Sequence, residues 1–477
     1  MKKDIKGITA EKDEFSEWFT QIMLKADLAD YTDVSGALVF RPTAYSMWEK
    51  IKQECDKRFK KLGIKNAYFP LFIPEKFLKK ETEHVKGFSP EVAWVTQTGN
   101  TKLHERLAIR PTSETIMYPS YSKWIRSYRD LPLKINQWNN VVRWEFNNPV
   151  PFLRTREFLW NEGHTVFATE KEAILEGKEI IKAYTEVCEE IMALPGLFGR
   201  KTEKEKFAGA IFSEKIHYMM PNGKMIEGPC FHHDGQNFAK VFDIKFLDKN
   251  EKPQYAWQNT WAISTRMLGA MFAIHSDEKG LIIPPKIAPN KIVIIPILAN
   301  KNKEVAKQAE KLKKELEEFD SILDNREEQS PGFKFNEWEM KGIPIRIELG
   351  PKDLEKNKVV LARRDTGEKQ DIKIKDLKKE IPKILEDIQK SIFKKAQKIL
   401  KNNLTTSTNL EETKSALKNK KSTLVPMCSE TKCEEILKDE TKGGKTLFIE
   451  SKKKISKEKC IICDKQAKYF VYVGKSY

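Results

Sequence analysis

VVRWEFNNPVPFLRTREFLWNEGHT, residues Val141 to Thr165, opens with an Arg-x-Glu triplet (Arg143, Glu145) and turns on Asn147-Asn148-Pro149 and Pro151. It returns with Arg154, Arg156, Phe158, Trp160, Glu162 and His164. Two apolar, alternating segments flanking an Asn/Pro turn predict an antiparallel hairpin. Side chains alternate along a strand, so the even-numbered residues from Arg154 to His164 share one face. That face holds two arginines, two aromatic rings, a carboxylate and an imidazole. A purely structural strand would place aliphatic residues there. A site for a phosphate-bearing planar ligand would place these.

The chain around this stretch has 477 residues, a length that suggests about three domains. Its hydrophobic fraction of 40% is enough for real cores. The formal charge of +17 points to a polyanionic partner, nucleic acid first, with a solvated lysine-rich surface as the alternative. Met1-Lys2-Lys3-Asp4 lacks the apolar run of a signal peptide. No apolar run approaches the roughly 18 residues of a membrane helix, so a membrane partner is not expected and a cytoplasmic location is. Seven cysteines are an odd number, and four sit in two local pairs near the C-terminus. That pattern favours metal binding in a reducing compartment over a disulfide framework.

Upstream of the hairpin, Ala44, Met47, Ile51, Cys55, Phe59 and Leu62 stripe a helix that Gly63 ends. The following segment, Ala67 to Pro74, reads as a strand broken by proline. A central strand rejects proline, so it belongs at an edge or an interface. A long helix with such a strand is one way to build a dimer contact; a plain edge strand is the other reading. Arg110-Pro111-Thr112-Ser113-Glu114 precedes an aromatic helix over 116–128, where the Thr/Ser–Glu sequence could simply be a cap. Downstream, 170–193 reads as helix, 207–243 as turn-rich strands, 255–266 as an aromatic strand and 267–275 as a buried helix. Pro284, Pro285 and Pro289 mark a boundary, beyond which strands alternate with helices as in a compact α/β domain. The lysine-rich 398–421 reads as a linker or an exposed helix. The domains expected are 1–288, 289–397 and 398–477.

Cys428-x4-Cys433 and Cys460-x2-Cys463 bring four thiols together. A thiolate tetrahedron suits zinc and leaves no open position, so the site reads as structural. His232-His233-Asp234 is a weaker metal signal, because adjacent strand residues face opposite ways; one histidine lining a polar pocket fits better. Gly443-Gly444-Lys445-Thr446 is not a phosphate loop, because Asp439 stands where the pattern needs glycine. A nucleotide would instead be held by the guanidinium forks of Arg143, Arg154 and Arg266, with Phe158 stacked on its base. A glutamate beside them can hold a metal ion bridging phosphates or accept an adenine amino group.

These residues together resemble the class II aminoacyl-tRNA synthetases, and within them the prolyl-tRNA synthetase family of the archaeal/eukaryotic type. Ala44–Pro70 is similar to the family's first motif. Arg143, Glu145, Arg154 and Phe158 match the second, and Asn259–His275 with Arg266 match the third. RPTSE, FLRTREFLWNEGHT, GQNFAKVFDI and GLIIPP follow in the family's order. The resemblance implies a multidomain α/β protein: a mainly antiparallel catalytic sheet with helices, an α/β anticodon-binding domain and a small zinc-binding α+β extension.

It also implies a homodimer that uses ATP, with Mg2+ on its phosphates, to join proline to tRNA(Pro). On that resemblance Arg143 and Arg266 are the catalytic arginines. ATP would meet Arg143, Glu145, Arg154, Phe158, Glu227, Cys230, Ser264 and Arg266. Proline would meet Thr112, Glu114, Arg143, Trp160, Glu162, His164 and His232. Glu339, Arg346, Lys352 and Asp353 would face the anticodon bases. Cys428, Cys433, Cys460 and Cys463 would hold structural Zn2+, and Tyr477 would lie near the active site. The stretch between the second and third motifs leaves no room for a large inserted editing domain.

The chain departs from the family pattern at the pocket floor. Cys230-Phe231 replaces Thr-Ser, Asp234 a leucine, Glu227 a glutamine, Ala262 a glycine and Ser264 a threonine. Glu227 brings negative charge that could call for an extra magnesium ion. Two alternatives to proline activation follow from these changes: a weakened tRNA-binding paralogue, and the same chemistry with a shifted amino-acid choice.

Overall fold

The computed structural model describes residues 7–78, 91–145 and 149–477. The turn read at Asn147-Asn148 and the N-terminal Met1–Asp4 lie outside these residues. The predicted hairpin is present: Leu133–Val142 pairs antiparallel with Glu157–Phe167, from Leu133 opposite Val166 to Val142 opposite Glu157. The returning strand starts only at Glu157. Arg154 and Arg156 therefore sit in the connection, where Val150 bridges to Arg154 and Phe152 adopts a φ of 58°. Arg156 turns away from the predicted face; its guanidinium donates to the Ser35 carbonyl at 3.1 Å and covers the Trp144 ring.

Around the hairpin grows a sheet of eleven strands. Trp257–Ser264 pairs antiparallel with Glu157–Phe167, Met225–Gly235 with Trp257–Ser264, and Phe212–Met219 and then Leu197–Arg200 follow. Helices Pro42–Lys61, Glu170–Glu186 and Arg266–His275 cover one face and share its core. The predicted stripe Ala44, Met47, Ile51, Cys55 and Phe59 is buried along the first of these. Glu170–Glu186 starts at a reciprocal cap between Thr169 and Glu172 and ends in a π turn over Val187–Ile191, short of the predicted end. Gly163 lies between Glu162 and His164 because Trp261 packs flat on the backbone there; a Cβ would stand 2.1 Å from its ring. Of the proline-broken segment only Phe72–Pro74 is a strand, at the edge of a separate three-stranded sheet; Lys65–Asn66, just before the segment, lies at the end of the large sheet. Proline is thus at an edge, as its missing N–H requires.

A mixed five-stranded sheet follows. Ile292–Pro296 pairs parallel with both Ser321–Leu323 and Ile345–Leu349, and Lys358–Arg363 and Lys369–Lys373 add antiparallel. Its apolar strands and helices form their own core. Arg364 fastens it to the catalytic unit, reaching Asp277 with two bonds of 2.6 and 2.9 Å.

The segment 398–421 is not a linker. Helix Leu377–Asn402 runs through residues 397 and 398 without a break. Leu404–Thr406 then pairs parallel with Ser422–Leu424, and Leu410–Lys418 is a helix capped by Asn409. The terminal strands do not form a separate sheet: Ile449 pairs with Arg200, so they extend the large one. This mainly antiparallel sheet with helices, α/β domain and small α+β extension is the expected fold class.

Candidate active site

Phe158, Trp160, Glu162 and His164 face a cavity of about 690 Å3 on the open side of the large sheet, within the size range of small-molecule sites. Every residue assigned above to ATP or proline lines it, apart from Arg154. Arg154 stands close enough to Arg266 for the two like charges to be felt.

The deep end is acidic. Glu162 is 2% exposed. Its Oε1 accepts from Asn139 Nδ2 at 2.6 Å, Gln137 Nε2 at 3.2 Å and the Ser113 hydroxyl. Its Oε2 accepts from the Ser113 N–H at 3.1 Å and meets His164 Nε2 at 3.2 Å. Burial opposes ionisation, but the hydrogen bonds from His164, Ser113 and Asn139 outweigh it and hold Glu162 below its ordinary range. Burial likewise lowers His164, yet Glu162 and Glu114 raise it above its ordinary value. Glu114 accepts from the Thr112 hydroxyl, so the Thr/Ser–Glu sequence serves the pocket as well as opening helix Glu114–Trp124. Trp160 is pinned by a 2.6 Å bond from its indole N–H to Asn139 Oδ1. The arrangement suits a small ammonium held by carboxylates, with a flat apolar wall beside it.

The shallow end is cationic. Arg143 donates to the Pro111 carbonyl at 3.0 Å and lies 5.6 Å from the Phe158 ring and 5.3 Å from Trp160. Arg266 donates to the Leu153 carbonyl at 3.1 Å and the Glu227 carbonyl at 3.4 Å. Two preorganised guanidinium groups at one end are what charge developing on phosphate oxygens requires. Phe158, Cys230 and Ser264 share this wall.

Glu227 does not leave the wall negative. Lys201 and Lys215 reach its two oxygens at 2.8 and 2.6 Å. Burial resists its ionisation, but Lys215 and Lys201 hold it well below the usual carboxylate range. These lysines were missed in the sequence, where nothing sets them apart from the other lysines. The two histidines diverge as alternation requires. His232 lines the cavity, bonds Ser213 Oγ at 2.7 Å and packs on Phe207; burial and then Lys215 lower it to about 3. His233 is fully buried on the other side against Asn259 and Trp257.

In the α/β domain, Glu339 and Arg346 border one small hollow. Each has a partner: Lys279 for Glu339 at 3.0 Å, and Glu348 for Arg346 at 2.9 Å. Asp353 caps its own helix through the Gly350 N–H at 2.9 Å, and Lys352 beside it is exposed. Phe335, under the Arg346 guanidinium at 4.5 Å, had no signal in the sequence.

The four C-terminal thiols converge. Their sulfurs all lie within 4.8 Å of one another, and those of Cys428 and Cys463 are 3.8 Å apart. Zinc–thiolate bonds of about 2.3 Å in a tetrahedron place sulfurs about 3.8 Å apart, so the set fits a zinc ion. Tyr477 is not part of the cavity wall; its hydroxyl accepts from Asn222 at 2.7 Å and its ring lies 6.1 Å from Phe15.

Comparison with known proteins gives three family matches. Residues 94–275 match the tRNA synthetase class II core domain (G, H, P, S and T), 291–384 an anticodon binding domain, and 410–477 the prolyl-tRNA synthetase C-terminal domain. A proline–tRNA ligase of Natranaerobius thermophilus is 48% identical over 92% of this chain and 91% of its own. Proline–tRNA ligase 2 of Bacillus cereus is 46% identical over the full length of both chains. A crystal structure of prolyl-tRNA synthetase from Cryptosporidium parvum, complexed with halofuginone and AMPPNP, superposes with a TM-score of 0.95 at 42% identity. The match covers 99% of this chain and 100% of that one.

Proposed function

Because the chain belongs to the class II aminoacyl-tRNA synthetases, and among them to the prolyl-tRNA synthetases, we propose that its cavity activates proline with ATP for transfer to tRNA(Pro). The observation that carries the reading is the polarity of one continuous cavity, acidic around Glu162 and cationic around Arg143 and Arg266. Proline's ammonium goes to Glu114, Glu162 and the Thr112 hydroxyl, with His164 and His232 beside them and its ring along Trp160. Its carboxylate points to Arg143. ATP lies over Phe158, with Arg266 and Arg154 at its outer phosphates and Cys230, Ser264 and Glu227 along the wall.

Proline's carboxylate oxygen attacks the α-phosphorus, the bond to the bridging oxygen breaks, and pyrophosphate leaves. The attacking group is already ionised, so no general base is needed. Arg143 stabilises the charge that grows on the α-phosphate. The terminal hydroxyl of the tRNA then attacks the carbonyl carbon. The acyl–phosphate bond breaks, and AMP leaves with the hydroxyl's proton. Mg2+ on the phosphates would supply further positive charge, with Glu145 as the residue proposed to hold it. The extra ion read from Glu227 is not needed, because Lys201 and Lys215 already balance it.

The 289–397 unit is assigned to the anticodon, with Glu339, Arg346, Lys352 and Asp353 on its reading side after Glu339 and Arg346 change partners. The 398–477 unit is assigned a structural zinc on its four cysteines. A homodimer is supported by Tyr31, Val39, Tyr68 and Phe72, which are 44 to 70% exposed around the first motif. Sedimentation as a 55.4 kDa species counts against it. Among the described residues no helix is long and apolar enough to cross a membrane; none of the seven cysteines is in a disulfide, which suits the reducing setting of a cytoplasmic enzyme. The archaeal/eukaryotic type is not supported, because the curated relatives above are bacterial. ATP–pyrophosphate exchange across an amino-acid panel tests the assignment. Proline should dominate, and stronger exchange with another amino acid overturns it.

A further inference from the structure

The helix that carries Cys433, Thr431–Glu440, touches the wall of the cavity through the two residues after that cysteine. Glu434 Oε2 accepts from the Thr202 hydroxyl at 2.9 Å and from the Thr446 hydroxyl. Glu435 pairs with Lys204 at 3.6 Å. Thr202, Glu434 and Thr446 are all buried. One residue before Thr202 stands Lys201, whose N–H donates to the Ser213 carbonyl at 2.8 Å and whose Nζ holds Glu227. Beyond Thr202 the chain runs through Lys204, Lys206 and Phe207 along the cavity. The same stretch is sewn to the terminal strands where Arg200 pairs with Ile449. Phe448 packs so closely on Gly199 that a Cβ there would be 2.3 Å away.

We propose that Glu434 and Glu435 are positioning residues for the nucleotide, clamping the 201–208 wall so that Lys201 stays on Glu227. The inference rests on the reading of that wall as part of the ATP site. Without the clamp, Lys201 can leave and Glu227 faces the polyphosphate with Lys215 as its remaining cation. The local charge then falls by one unit. ATP, with several negative charges, responds strongly to that change; zwitterionic proline, with no net charge, does not.

Calorimetric titration of the full-length protein with ATP and with proline, separately, tests this. Glu434→Ala and Thr202→Val should each weaken ATP binding by about tenfold and leave proline binding and metal content as in the wild type. Glu434→Gln, whose amide oxygen still accepts from Thr202, should recover most of the loss. The double variant should be no worse than Glu434→Ala alone, because that change already removes the Thr202–Glu434 bond. ATP affinity unchanged in Thr202→Val overturns the clamp. So does an equal loss for proline, and so does a Glu434→Ala protein that sheds its metal, which marks a plain folding role. A wild-type protein that binds no ATP overturns the ATP reading itself, and the clamp with it.

Discussion

Replacing Glu162 with glutamine keeps the shape of the side chain and exchanges one acceptor oxygen for an NH2 group. The surroundings do not tolerate the exchange in either orientation. An NH2 in place of Oε2 confronts the Ser113 N–H at 3.1 Å, a backbone donor that cannot turn away. An NH2 in place of Oε1 confronts Asn139 Nδ2 at 2.6 Å and Gln137 Nε2 at 3.2 Å. At least one buried donor loses its partner, at about 1.5–3 kcal/mol for a bond to a charged acceptor. Proline's ammonium also loses one of its two carboxylates, an effect of similar size. The unpaired donor is present with and without substrate and weakens the fold; the ammonium's own loss of about 1.5–3 kcal/mol lowers kcat/KM for proline by roughly 10- to 150-fold. ATP–pyrophosphate exchange measures it, with proline varied at fixed ATP and then the reverse. The KM for ATP should stay within about twofold, because the shallow end is untouched. A loss in kcat/KM for proline under about tenfold would refute the placement of the ammonium at Glu162.

Three further outcomes are expected. Burial raises Glu176 from its ordinary 4.5 to about 7, so the folded chain keeps a proton that the unfolded chain has released. Stability should therefore fall as pH rises from about 4.5 to about 7, by up to ~3.4 kcal/mol at 1.36 kcal/mol per pH unit; Glu176→Gln should flatten that fall, and parallel melting-temperature curves for the two proteins would contradict it. Metal analysis should find about one zinc per wild-type chain and almost none in Cys460→Ser, with the variant melting earlier; equally low metal in both proteins removes the zinc assignment. Arg364→Ala leaves the half-buried Asp277 without its two bonds and should cost about 2 kcal/mol at the domain junction, read as faster proteolysis after Ser276; an unchanged digestion rate would show that other contacts hold the junction.

What the sequence disclosed follows the range over which each signal acts. Phe158, Trp160, Glu162 and His164 were legible because alternation is a local rule, and the cysteine pairs because their spacing is. Arg154 and Arg156 broke the pattern because the turn at Pro151 delays the strand to Glu157, and alternation applies only within the strand. Ser113, Gln137 and Asn139 were invisible, since they become ligands of Glu162 only when the neighbouring strand and the loop before Glu114 are brought to it. Lys201 shares a carboxylate with Lys215 across strands, and in a chain of 86 lysines and arginines nothing local distinguishes it. The 398–421 segment read as a linker or an exposed helix because lysines dominate it; a helix is present at Leu410–Lys418, but the strand Leu404–Thr406 exists only through its pairing with Ser422–Leu424.

The pairing of Ile449 with Arg200 has a consequence for how the chain can be divided. Both outermost strands of the large sheet, Leu404–Thr406 and Lys65–Asn66, have only two or three residues, and short ends are poor templates for another chain. Removal of the terminal strands would turn Leu197–Arg200, now internal, into a new border beside the half-exposed Phe198. Such a border offers unpaired N–H and carbonyl groups next to an apolar ring. A shortened enzyme would then be prone to self-association, which makes the terminal unit a guard of solubility.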